Sequence, residues 1–211
     1  RGHSHVRYAD DCNIYLHSKR AAERVLTSIS AWLGKQLRLK VNATKSAVDR
    51  PWKRKFLGFS FTAHKKAKVR IAPKSVKTFK AKVKAEMRKG RGRNVGRFIR
   101  ETLNPIIRGW VNYYRITECK GVLDELDGWI RRRLRNIIWR QWKHPRTRRR
   151  KLMSLGIHEA VASKTAYNGH GAWLNSALPP MNVGLPKKYF DQKLLLNLQN
   201  ETRYAEQLAL F

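Results

Sequence analysis

Two adjacent carboxylates, Asp10 and Asp11, are the first residues of this chain whose type and spacing suit chemistry. In Val6-Arg7-Tyr8-Ala9-Asp10-Asp11-Cys12-Asn13-Ile14-Tyr15 they lie between two short runs of β-formers, a pattern that predicts a hairpin with both acids at its tip. Consecutive side chains in extended or turn backbone diverge, so the pair need not share one ion, yet both lie within reach of a divalent metal cluster. Hard Mg2+ takes one or two carboxylates together with water and phosphate oxygens, which suits phosphoryl transfer. A bare Asp-Asp pair is more often a solvated turn, so the metal reading depends on what the rest of the chain supplies.

What it supplies first is charge. The 211 residues carry 47 Lys+Arg against 14 Asp+Glu, a formal net charge of +33, while a 42% hydrophobic content is ample for a core. Such an excess repels itself in a compact state unless a polyanion neutralises it. The charge is also localised: residues 64–100 hold 15 Lys+Arg and one acid, Glu86; residues 131–151 hold 11 and no acid; residues 152–211 hold 5 against 4 acids. Two basic blocks followed by a near-neutral tail imply a directed surface rather than general solubility, which favours mixed signs. A membrane surface is the competing polyanion, but aromatic residues interleaved with the basic ones fit nucleic acid at least as well. No apolar run approaches the length of a membrane span. Cys12 and Cys119 stand far apart without Cys-x-x-Cys or His spacing, which fits a reducing compartment and an expected cytoplasmic location.

The elements that must position these residues follow in order. After the hairpin, Ser18 suits the cap of a helix to about Leu37, whose Ala22, Val25, Leu26, Ile29, Trp32, Leu33 and Leu37 recur at three and four and are expected to face a core. Leu39-Lys40-Val41-Asn42 reads as a short strand, and Lys55-Phe56-Leu57-Gly58-Phe59-Ser60-Phe61 as a buried aromatic one with Gly58 allowing close backbone approach. Residues 65–73 alternate like an edge strand. Ser75 suits the cap of a helix to about Lys89, with Val76, Phe79, Val83 and Met87 on one face and lysines elsewhere. Gly90-Arg91-Gly92-Arg93 reads as a flexible basic loop. Asn94 opens a helix, and Asn104-Pro105 is expected to restart one. Another spans about Val122 to Trp142, with Arg131, Arg132, Arg133, Arg135 and Arg140 opposite an aliphatic face. In the tail, residues 157–166 read as a helix, and Trp173 as a core residue.

Several of these stretches carry a family likeness. Tyr8-Ala9-Asp10-Asp11 resembles the catalytic box of reverse transcriptases, and Arg7-Tyr8-Ala9-Asp10-Asp11 the form found in group II intron reverse transcriptases, also called intron maturases. The segment from Leu39 to Ser46, with Asn42 and Lys45, resembles the next box; Phe56-Leu57-Gly58-Phe59 resembles the one after it. Leu103-Asn104-Pro105-Ile106-Ile107-Arg108-Gly109-Trp110-Val111-Asn112-Tyr113-Tyr114 is similar to the signature of the maturase-specific domain, often called domain X. The boxes occur in family order, and the resemblance covers nearly the whole chain.

The resemblance implies an α+β chain: residues 1–63 as the C-terminal part of a reverse transcriptase palm, built of antiparallel β-hairpins plus a helix; residues 64–151 as the helical thumb and maturase domain; residues 152–211 as the tail of domain X, packing back on the thumb. It implies an RNA-directed DNA polymerase of a retroelement that also assists splicing. Asp10 and Asp11 would be catalytic and metal-binding with Mg2+ as cofactor, and Lys45 would orient or protonate the leaving pyrophosphate. Phe56, Leu57, Gly58 and Phe59 would form the primer grip. RNA, whether intron or template–primer duplex, would meet Lys80, Lys84, Arg88, Arg91, Arg93, Arg131, Arg132, Arg135, Arg148, Arg149 and Arg150. The family's third metal carboxylate and its fingers are not in this sequence, nor is an endonuclease domain. The chain alone is therefore expected not to polymerise, and to use dNTP only if a missing N-terminal half complements it. The alternatives are a stand-alone RNA-binding maturase or splicing cofactor, and a remnant without function.

Overall fold

The computed structural model describes residues 3–208, with side chains through Arg203. The fold is α+β, and two compact units divide it between Ala72 and Pro73.

The first unit opens with the expected hairpin. Strands β1 (Ser4–Tyr8) and β2 (Asp11–Tyr15) pair antiparallel from Ser4 opposite Tyr15 to Tyr8 opposite Asp11, leaving Ala9 and Asp10 as a two-residue turn. Helix α1 (Lys19–Leu37) starts where Ser18 Oγ accepts the Ala21 N–H at 3.2 Å and ends with Arg38 in the left-handed region. Its apolar stripe is a correction to the sequence reading. None of its residues is buried, and Trp32 is 55% exposed. Helical spacing specifies a face, and only tertiary packing decides whether that face is covered.

Nor does Leu39-Lys40-Val41-Asn42 form a strand. Asn42 instead bends the chain, its Oδ1 accepting the Thr44 and Lys45 N–H groups (3.1 and 3.2 Å) and the Thr44 hydroxyl (2.7 Å). An Asn side chain that satisfies backbone donors this way competes with a sheet ladder. The aromatic segment is likewise shorter than its composition suggests: β3 (Phe59–Phe61) pairs antiparallel with β4 (Val69–Ile71), Phe59 opposite Ile71 and Phe61 opposite Val69. Beside this small sheet, Trp52 C=O accepts the Ser60 hydroxyl at 3.2 Å and Arg70 Nη2 at 3.3 Å.

The second unit is helical. Helix α2 (Pro73–Lys89) begins at Pro73, where the fixed φ and missing N–H are no penalty, two residues before the expected cap, and buries Phe79, Val83 and Met87 at intervals of four. Residues 90–92 then form a tight turn, and Asn94 Oδ1 caps α3 (Val95–Phe98) by accepting the Arg97 N–H at 3.1 Å. Between α3 and α4 (Asn104–Tyr114) the helix does not restart. It runs through one π-helical turn, Ile99–Leu103, in which the Asn104 N–H donates to Ile99 C=O five residues back. Pro105 has no N–H and its ring crowds the carbonyl four residues before it. A wider turn absorbs that conflict without breaking the helix.

Helix α5 (Gly121–Gln141) is central, burying Leu123, Leu126, Ile130, Leu134, Ile137, Ile138 and Trp139. After it come α6 (Pro145–Ser154), α7 (Glu159–Ala166), α8 (Ala172–Asn175), α9 (Pro179–Gly184), α10 (Lys187–Gln192) and α11 (Leu198–Leu208). Helix α8 packs on α5, and α11 on both α4 and α5. The tail is thus sewn to the earlier helices by buried polar side chains. Asn104 donates through Nδ2 to Leu194 C=O at 2.7 Å and accepts the Leu196 N–H at 3.2 Å; Asp127 Oδ1 accepts the Leu198 N–H at 3.2 Å.

Candidate functional site

In the first unit the carboxylates sit where the sequence pattern puts them. Asp10 is the second turn residue and Asp11 the first of β2, and both are exposed. The tightness of the turn holds Ala9 at φ 51°, a left-handed conformation that favours glycine, and Arg7 Nε braces it by donating to Ala9 C=O at 2.9 Å. Neither carboxylate has an ion-pair partner among the described residues. Their donor chemistry suits Mg2+: hard oxygens, facing solvent, fixed at the tip of a hairpin. Among the described residues no three or more His, Cys, Asp or Glu side chains converge. The pair therefore fits as the one or two protein carboxylates that Mg2+ commonly takes, with other oxygens completing the shell.

Lys45 stands on the turn that Asn42 organises, and its C=O accepts Arg54 Nη2 at 2.7 Å, so both its backbone N–H and its carbonyl are fixed while the side chain is exposed. Leu57 and Gly58 form a turn between Phe56 and Phe59, the first residue of β3, rather than one continuous strand, which corrects the sequence reading. Phe56 and Phe59 exchange N–H···O=C bonds of 2.9 Å in both directions, and the two residues between them both have positive φ, Leu57 at 49° and Gly58 at 81°. Such a turn requires two left-handed residues, and glycine supplies one without strain. Gly58 C=O then accepts the Ala72 N–H at 2.9 Å, tying the turn to the end of β4.

The second unit carries the basic residues, and their environments differ. Lys84, Arg88, Arg91, Arg93 and Arg150 are exposed. Arg91 and Arg93 do not lie on a flexible loop: Gln141 Nε2 donates to the carbonyls of both, at 3.0 and 2.8 Å, and Gly90 packs so tightly on Phe98 that an added Cβ would meet its ring at 2.6 Å. Arg149 pairs with Glu159, while Arg148 lies 4.7 Å from the Trp139 ring centre and is held below its ordinary value by burial. Arg131 is half-buried and acts on Asp127 electrostatically.

Arg135 corrects the expected RNA-binding set. Only 9% exposed, it donates through Nε to Leu185 C=O at 2.9 Å and lies 5.7 Å from the Phe190 ring centre. Burial, then the charge of Arg131, depresses its pKa. It belongs to the core that receives the tail. Trp173 corrects in the other direction: it is 38% exposed, and two guanidinium groups lie against it, Arg132 at 3.9 Å and Arg133 at 4.4 Å from the ring centre. Arg133 lies 5.1 Å from the Trp129 ring as well, and Lys80 Nζ 5.9 Å from the same ring. Sequence reasoning placed Arg133 on the basic face without singling it out. The alternation of Trp129 with Arg132 and Arg133, one helical turn on, was the available signal.

These observations define a class: an α+β chain with a tight carboxylate-bearing hairpin in one unit and, in the other, a helical domain with basic faces. Comparison with protein families agrees. Residues 1–61 match reverse transcriptase (RNA-dependent DNA polymerase), and residues 76–156 match the group II intron, maturase-specific domain. The two matches, in this order, fit a group II intron reverse transcriptase/maturase. No curated protein matches the chain.

Proposed function

We propose that this chain serves RNA-directed DNA synthesis and intron splicing, with Asp10 and Asp11 as Mg2+ ligands and the basic helices of the second unit as the RNA-holding surface. The observation that carries the proposal is the hairpin: two exposed carboxylates, without ion-pair partners among the described residues, at a strained two-residue turn and the strand residue after it, inside the stretch that matches reverse transcriptases. Mg2+ bound there supplies Lewis-acid activation of an attacking hydroxyl and neutralises developing phosphate charge. Asp10 and Asp11 contribute carboxylate oxygens at a geometry set by the Tyr8–Asp11 pair. Lys45 presents an ammonium that orients the triphosphate and donates a proton to the departing pyrophosphate. The Phe56–Phe59 turn supports the primer end with apolar side chains on a rigid backbone. A cytoplasmic location is part of this proposal. No described helix is long and apolar enough to cross a membrane.

The decisive experiment is extension of a DNA primer on an RNA template in Mg2+. It is run with the purified chain alone and with a polypeptide carrying reverse transcriptase fingers and the remaining palm carboxylate. Synthesis is expected in the second arm and is lost in Asp10→Ala and Asp11→Ala; synthesis indifferent to both substitutions would refute the assignment. A second reading, RNA binding without polymerisation, is favoured by the basic helices α2, α5 and α6, whose architecture needs no carboxylate. It expects tight intron RNA binding, steeply weakened by salt and unchanged in Asp10→Ala.

A further inference from the structure

Two observations in the second unit have no role in the polymerase reading. Arg132 and Arg133 have buried Nε atoms that make no hydrogen bond. Arg133 also stands among cations: burial lowers its pKa most, and the charges of Arg88, Arg132 and Arg91 lower it further, with no carboxylate among the groups that act on it. The acids of this unit that form ion pairs are engaged elsewhere, Glu86 with Lys89, Glu101 with Arg97, Glu159 with Arg149 and Glu201 with Arg108. Four arginines that act on one another with no carboxylate among them in the described residues form an unfavourable arrangement on their own, and an anion placed among them reverses the sign of the interaction.

The geometry favours a particular anion. Trp173, from the short helix α8, lies against both guanidinium groups, and Arg132 Nη2 also donates to Trp173 C=O at 3.2 Å. Trp129, one turn before Arg133 on α5, holds it from a second ring. Contact with indole restricts both guanidinium groups; Arg132 Nη2 is engaged by Trp173 C=O, which fixes Arg132 further, and the terminal nitrogens of Arg133 remain as donors of the kind that match phosphate oxygens. Arg91 joins from the turn that Gln141 and Gly90 fix in place.

We propose that Arg88, Arg91, Arg132 and Arg133, with Arg132 and Arg133 locked by Trp173 and Trp129, form a discrete clamp for a backbone phosphate of bound RNA. This rests on the RNA-holding reading above and sharpens it from a diffuse basic face to one pre-organised site. Trp173 acts as a positioning residue, so the near-neutral tail contributes to the RNA grip without contributing charge.

The test uses the full chain. Binding of a structured RNA is measured across a salt series for wild type, Arg133→Lys, Trp173→Ala, Trp173→Phe and, as a control on the exposed face of α7, outside the clamp, Lys164→Ala. Arg133→Lys keeps the charge and loses the fork, and is expected to weaken RNA binding about tenfold. Trp173→Ala is expected to weaken it similarly and to reduce the salt slope by nearly one unit, as for one lost phosphate contact, although no charge is removed. Trp173→Phe retains most of the affinity, and thermal unfolding of each variant separates misfolding from lost contact.

Polyglutamate as competitor distinguishes phosphate from carboxylate. Arg133→Lys should leave polyglutamate binding as in wild type, and equal weakening for both polymers would overturn the clamp. Wild-type RNA affinity in both Arg133→Lys and Trp173→Ala would overturn it while leaving the RNA-holding reading intact. If wild type shows no salt-dependent RNA binding, the RNA-holding reading falls, and inorganic pyrophosphate titrated by calorimetry tests the phosphate site alone. A saturable heat lost in Arg133→Lys supports the site; its absence overturns it.

Discussion

Asp127 gives the sharpest prediction about stability. It is 4% exposed on α5, its Oδ1 accepts the Leu198 N–H, and its Oδ2 has no hydrogen-bond partner among the described residues. Burial raises its pKa from 3.8 to about 6, the charge of Asp124 adding to the rise and the Leu198 N–H, Arg131 and Lys187 opposing it. The folded-state value lies above the unfolded one, so the folded protein binds the proton more tightly. The stability this contributes is complete below about pH 3.8 and is lost as pH rises through about 6. A shift of about two pKa units corresponds to roughly 3 kcal/mol, and screening by nearby solvent and cations reduces it to about 2. Asp127→Asn keeps an oxygen for Leu198 and removes the charge. Urea unfolding of wild type and variant from pH 4 to pH 8 should therefore give curves that nearly coincide at the acid end. Above pH 7 the variant should be the more stable by about 2 kcal/mol. Repulsion among the other charges acts on both proteins alike and cancels in the difference. A difference independent of pH, or one growing towards acid, would refute the reasoning.

Further tests probe single contacts. Asn104→Ala leaves Leu194 C=O and Leu196 N–H without their partner and should destabilise the second unit by about 2–4 kcal/mol, with protease cleavage near residues 194–197 appearing first. Gly90→Ala forces a methyl against the buried Phe98 ring and should lose about 1–3 kcal/mol in chemical denaturation. It should also weaken RNA binding, because Arg91 and Arg93 move with the turn. At Ala9, φ 51° makes glycine acceptable and a β-branched residue strained, so Ala9→Gly should preserve the hairpin and Ala9→Val should lose cross-strand contacts between Tyr8 and Asp11 in NMR spectra.

Local rules made part of this molecule readable from its residues alone. The β1–β2 hairpin follows from β-formers flanking a two-residue turn, the start of α1 from Ser18, and the start of α3 from Asn94, because each rests on contacts within a few residues. The buried faces of α2 and α5 follow from their period. What sequence did not disclose depends on partners far along the chain. Asn104 sits beside a proline and reads as a cap, yet its side chain is spent on Leu194 and Leu196, about ninety residues on. Arg135 shares a face with other arginines by helical spacing, but the tail folds over that position and converts it from surface to core. Trp173 reads as core because a lone aromatic usually is; here two guanidinium groups make partial exposure tolerable. Leu39–Asn42 and Leu57–Gly58 failed as strands because Asn42 and Gly58 favour turn geometries that outweigh the β-propensity of their neighbours.

The placement of α5 ties these points together. One helix supplies the aliphatic core, the Arg132–Arg133 pair, the Asp127 acceptor that receives α11, and Arg135, which receives the segment after α9. A tail held by α5 at Leu185 and Leu198, and by Asn104 of α4 at Leu194 and Leu196, therefore packs on the same helix that carries the arginine pair, and Trp173 joins the two along the way. Loosening an anchor should for this reason be felt at the arginine pair even where no charge has changed. Asn104→Ala, which removes none of the proposed RNA contacts, is expected to lower RNA affinity in proportion to the fraction of tail released, and more steeply in urea. If tail release is detected by proteolysis while RNA affinity stays at the wild-type value, the tail is a stability element only, and the coupling through Trp173 is wrong.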